Sequence, residues 1–132
     1  MAFSLQTLWR GLTRRAPRLV CDARTWNEGV DELHRRTGER QEAGAFLLGD
    51  TVSGYRRIRQ FLYYDDVDPD CFANGIVEFD GRRFGEVWRI CADLGLSVIA
   101  DVHVHPGHYA QSQSDKQNPM IAEVGHFALI IP

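Results

Sequence analysis

Five residues within one short stretch have side chains suited to metal chemistry: His103, His105, Ser112 and Asp115, with His108 between them. In Asp101-Val102-His103-Val104-His105-Pro106 the histidines alternate with valines, so on a strand both imidazoles project from one face and both valines from the other. Neutral imidazole nitrogens bind zinc at ~2.0–2.1 Å, and a catalytic zinc takes three protein ligands with one position left for water. A carboxylate is therefore expected as the third ligand. Asp115 is the best placed, because Pro106 stops the strand and the chain can return through Gly107 to present an acid at the start of the next helix. Plain helix capping is the competing role for Asp115. Asp101 shares the strand face but lies ~6.5–7 Å from His103 along the strand, which suits a hydrogen bond to an imidazole better than direct ligation. His108 is read as a loop residue before it is read as a ligand.

The rest of the chain must hold these groups in place. Leu19 to Cys21 is a short apolar piece, followed by a helix opened by Thr25 with Glu28 as a capping box, carrying a stripe of Trp26, Val30 and Leu33, and ended by Gly38. Ala43 to Leu48 and Tyr55 to Tyr63 read as the two strands of a hairpin turning through Asp50 to Gly54. Asp65 to Asn74 holds four aspartates and Pro69 and reads as an exposed loop. It lacks the glycine and closing glutamate of an EF-hand. Gly75 to Phe79 reads as a strand. Asp80 then caps a helix with Phe84, Val87, Cys91 and Leu94 on one face, stopped by Gly95. Leu96 to His105 has the unbroken apolar first half of a central strand covered on both sides. A short helix capped by Ser112 or Ser114 runs to about Glu123, and Phe127 to Ile131 is a last strand. The class predicted is α/β (α+β), a mixed sheet flanked by helices.

At 132 residues the chain suits one domain, with 44% hydrophobic and 25% charged residues. No apolar run approaches the ~20 residues that cross a bilayer, and the start lacks a secretory signal pattern. The net charge of −3 argues against broad capture of nucleic acid. Three cysteines at wide spacing, Cys21, Cys71 and Cys91, fit neither a disulfide framework nor a zinc ribbon, and a reducing cytoplasm is expected. Residues 1–16 form a basic arm with Arg10, Arg14 and Arg15 and apolar residues at helical spacing, leaving 17–132 as the domain. Such an arm reads as an amphipathic helix against the domain, or as a docking or targeting segment.

His103-x-His105-Pro106, a short loop and Ser112-x-x-Asp115 together resemble the signature of the JAMM (MPN-domain) metalloproteases. The family's glutamate lies upstream in a Glu-x-x-Gly-x-Leu-x-Gly pattern, matched by Glu42, Leu47 and Gly49, with Ala45 at the first glycine position and Gly44 beside it. Element order is similar from about Leu19 to Pro132. The resemblance implies an MPN-type sheet and one zinc held by His103, His105 and Asp115. It also implies Glu42 as general base, ahead of Glu39, and a Ser112 hydroxyl that stabilises the tetrahedral oxyanion. It further implies a substrate: the C-terminal tail of a ubiquitin or ubiquitin-like protein, cut at a peptide or isopeptide bond. The compact length is similar to prokaryotic members that accompany conjugating enzymes in antiphage systems. The resemblance implies further elements after the strand at Phe127 to Ile131, so the expectation is either a naturally truncated domain or a partner or second copy, such as a homodimer mate, that covers that strand edge. A zinc hydrolase acting on a sulfur-carrier protein or small amide, and a catalytically silent MPN scaffold, are the alternatives. A nucleic-acid deaminase would need His-x-Glu and Pro-Cys-x-x-Cys, and neither occurs.

Overall fold

Strand β1 (Arg18–Cys21) opens the computed structural model, which describes residues 18–105 and 126–132. Helix α1 (Ala23–Thr37) follows at once. Its N-cap is Asp22, whose carboxylate accepts the Thr25 N–H at 2.9 Å, so Thr25 lies inside the first turn and the expected capping box is replaced by a cap three residues earlier. The cap draws Asp22 below the usual carboxylate range through the Thr25 hydrogen bonds. Gly38, in the left-handed conformation, ends the helix as expected.

Strands β2 (Ala43–Val52) and β3 (Tyr55–Tyr63) form the expected antiparallel hairpin, with β2 four residues longer than the sequence pattern suggested. Helix α2 (Tyr64–Val67) follows β3 directly. A 3-10 turn (Gly81–Arg83), capped by the Asp80 carboxylate on the Arg82 N–H, leads into helix α3 (Phe84–Leu94). Strands β4 (Ser97–Val104) and β5 (Phe127–Ile131) complete a five-stranded mixed sheet in the order β1-β3-β2-β4-β5. β1 and β5 run parallel to their neighbours, and β2 runs antiparallel to both of its own. The described residues form one small α/β domain.

Each sheet face has its own cover. Phe61 stands opposite Leu47 in register, and its ring meets Trp26 of α1 at 5.8 Å. Phe46 points the other way and packs edge-on against Tyr64 at 4.7 Å and Phe79 at 5.2 Å, with Phe84 of α3 at 5.7 Å. Such aromatic pairs add ~0.5–1.5 kcal/mol each beyond the area they bury. β2 and β4, central and covered on both sides, hold the core: Ala43 through Leu48 and Ile99 through Val104 are all buried.

Three expectations are corrected by packing. Leu94 is 45% exposed, leaving Val87 and Cys91 as the buried residues of α3. Residues 75–79 are not a strand: Gly75 and Val77 use backbone groups on Glu42, and Glu78 donates to Cys71 O. The aspartate-rich stretch is only partly exposed, since Val67, Asp68, Cys71 and Phe72 are buried in it. The basic arm at 1–16, the expected helix up to Glu123, and the site residues Ser112 and Asp115 lie outside the described residues.

Candidate functional site

The alternation along β4 sends Val102 and Val104 to the α1 side, and Asp101, His103 and His105 to the side of Phe46 and α3. His103 stands opposite Gly44, and Asp101 opposite Phe46. Both histidines are buried, and their rings lie 4.5 Å apart between centroids at 48° to one another. His105 sits just past the end of β4, where its backbone N–H donates to Ile131 O at 2.9 Å and ties it to β5.

Glu42 reaches the same place from the other strand. It immediately precedes β2, whose first residue Ala43 pairs with Val104. Glu42 Oε1 lies 3.5 Å from His105 Nε2, while Oε2 accepts the Val77 N–H at 3.0 Å. The Glu42 N–H donates to Gly75 O at 3.2 Å. The two carboxylate oxygens thus face different neighbours. Glu39, the other glutamate considered, sits in the exposed turn after α1 with φ 60°.

Asp101 occupies the same face, but its carboxylate serves a different pair of side chains. Oδ2 accepts from the Tyr64 hydroxyl at 3.2 Å, and Oδ1 bonds to Nε2 of His126, the residue just before β5. Burial, then the neighbouring Asp101 charge, pushes the Tyr64 phenol well above its ordinary range, so it stays a neutral hydroxyl and a donor. Gly44 makes room for this ring: a Cβ there would stand 2.3 Å from Tyr64 Cε2 and 3.0 Å from Val102 O. Tyr64 and His126 were not singled out from the sequence. Their one signal was position, at the end of one apolar strand and the start of another.

The donor set suits zinc in kind: two adjacent imidazoles and a nearby carboxylate oxygen at one end of the sheet. Among the described residues no three His, Cys, Asp or Glu side chains are grouped to hold a metal ion, and the expected third ligand, Asp115, lies outside them. Thiol chemistry is disfavoured by the surroundings of all three cysteines. Burial pushes Cys71 up to about 12, and raises Cys91 and Cys21 as well. No helix among the described residues is long and apolar enough to cross a membrane.

No family model matches the chain. Its fold is similar to the solution structure of protein DSY2949 from Desulfitobacterium hafniense, with a TM-score of 0.59 at 18% identity, covering 78% of this chain and 68% of that one. That likeness concerns the arrangement of strands and helices.

Proposed function

We propose that the chain is a JAMM-type zinc-dependent isopeptidase or peptidase that cuts after the C-terminal tail of a ubiquitin-like protein. The observation that supports this most is Glu42 Oε1 at 3.5 Å from His105 Nε2 at one end of β2 and β4, with the His103 ring 4.5 Å from that of His105. In this reading His103, His105 and Asp115 hold the metal. When bound, zinc supplies Lewis acidity and lowers the pKa of water toward 7.

The chain's own residues carry the proton. Because Val77 N–H occupies Glu42 Oε2, Oε1 is the atom that accepts a proton from the attacking water and returns it to the departing amine nitrogen. The Ser112 hydroxyl donates to the oxyanion, a contribution typically worth ~10²–10³ in rate. The half-buried setting of Glu42 beside two buried imidazoles limits competing solvent and strengthens each polar contact. The three free cysteines accord with a cytoplasmic place of work, and the partners in this reading are a ubiquitin-like protein and the conjugating enzymes of a bacterial antiphage system.

The test is incubation of the purified chain with a ubiquitin-like fusion encoded beside its gene. Cleavage after the tail is expected, abolished by a chelator and by Glu42→Ala, with zinc still bound in that variant. Full cleavage by Glu42→Ala removes Glu42 as base, and undiminished zinc content in His103→Ala removes the ligand assignment.

A further inference from the structure

The segment from Asp68 to Asp80 closes on itself. The Asp68 carboxylate, buried at 4% exposure, accepts the Asp80 N–H at 2.9 Å through Oδ2 and the Asp70 N–H at 3.3 Å through Oδ1. Backbone bonds from Cys71 to Asp68 O, Ala73 to Asp70 O, Gly75 to Phe72 O and Glu78 to Cys71 O fill the interior. Cys71 and Phe72 plug it into the core. Compact surface loops whose ends are close and whose own side chains pack them are frequently functional, and the backbone groups of this one face a neighbour.

What it holds is Glu42. Two main-chain groups reach that residue, Gly75 O from the Glu42 N–H at 3.2 Å and Val77 N–H to Glu42 Oε2 at 3.0 Å. Main-chain donors carry no rotamer freedom of their own, so they fix a long carboxylate better than another flexible side chain would. The turn that delivers both groups runs through Gly75, whose φ of 81° lies in the region that favours glycine. A Cβ at Gly75 would meet nothing within 4 Å, so substitution there acts through the backbone alone.

We propose that Gly75 is a positioning residue of the hydrolytic site: its left-handed turn presents Gly75 O and Val77 N–H together, clasping Glu42 so that Oε1 is left for proton transfer. This rests on the functional reading above. The clasp splits the carboxylate's duties, with Oε2 bound to the loop and Oε1 directed at the His105 side. Releasing it leaves the metal histidines on β4 untouched and lets the base swing.

The experiment compares Gly75→Val with Gly75→Asn in the full zinc-loaded chain. Valine, branched at Cβ, resists positive φ, whereas asparagine tolerates it. Gly75→Val is expected to lower kcat by ~10–100-fold, the scale of a misplaced catalytic group, with KM and zinc content unchanged. Gly75→Asn is expected to recover most of that rate. Amide hydrogen exchange gives the second readout: the Val77 N–H is protected in the parent and in Gly75→Asn, and loses protection in Gly75→Val and in Glu42→Ala. A Gly75→Val variant that cleaves like the parent overturns the proposal, as does a fall in kcat matched by loss of zinc. If the parent cleaves no ubiquitin-like fusion, the functional reading fails separately. Exchange then decides the clasp, and Val77 protection indifferent to Gly75→Val and Glu42→Ala overturns it.

Discussion

The two ends of β2 both carry charge, and they use it differently. Past Gly49, Asp50 is shared by Arg57 at 3.1 and 3.2 Å and Arg59 at 3.3 Å, with Arg59 exposed and the other two partly so, and with Arg57 foremost in holding the carboxylate below its usual range. Before Ala43, the polar groups are buried or nearly so: His103, His105, Asp101 with Tyr64 and His126, and Glu42 clasped by the loop. Water can replace any partner lost at the exposed end, and salt screens what remains. At the buried end water cannot so readily replace a lost partner, and a desolvated charge left alone is costly. The same kinds of side chain are thus held in one geometry at the buried end and only loosely tethered at the solvent end of the hairpin.

Substitutions at the two ends test this contrast. The largest effect is expected for Glu42→Gln, which keeps the side chain's size and the Val77 contact but removes the carboxylate proposed as base. Cleavage should fall by ~10²–10⁴-fold with an unchanged urea midpoint. Next comes His126→Ala, which strips one partner from buried Asp101. A loss of ~1–3 kcal/mol in urea unfolding is expected, and a loss near zero would show that the buried pair is no more demanding than the exposed one. Gly44→Ala drives a methyl against the Tyr64 ring and Val102 O, and should cost ~1–3 kcal/mol by the same measurement.

Smaller still is Asp50→Asn, for which no resolvable shift of the urea midpoint is expected. A shift as large as that of Gly44→Ala would erase the distinction between the two ends. A pH dependence is expected at a partly exposed cluster on α1. Arg35 and then Arg36 hold Glu32 at about 2. A carboxylate lowered on folding stabilises the chain above its ordinary range, near 4, and loses that contribution as pH falls toward 2. Acid unfolding of Glu32→Gln should therefore be slightly less steep between those values than that of the parent.

Sequence alone carried the regular elements whose signal is local. β3 runs from Tyr55 to Tyr63 and β5 from Phe127 to Ile131, as their patterns indicated, and the period of two that puts His103 and His105 on one face needs nothing beyond the strand. Boundaries set by side-chain hydrogen bonds were less legible. Asp22 caps α1 where Thr25 looked the better residue, because only the folded turn shows which oxygen reaches the Thr25 N–H. Ile76, Val77 and Phe79 have strand-like composition, yet the backbone there is engaged by Glu42 and Cys71. Aspartates suggest solvent, but Asp68 is buried because two loop amides satisfy it. The Tyr64–Asp101–His126 set joins three segments distant in sequence, and no local pattern announces such a meeting.

The unequal setting of the three thiols has a practical consequence. Cys71 and Cys91 are buried, whereas Cys21 is half-exposed on β1, with β3 and β2 between it and the histidine-bearing strand. Burial, and then Asp22, raises its pKa and lowers its thiolate fraction, but solvent access sets it apart from the two buried thiols, so a maleimide dye in alkaline buffer is expected to attach there first. Cys21 thus offers a ready-made handle for fluorescence or spin labelling, on the strand at the edge of the sheet.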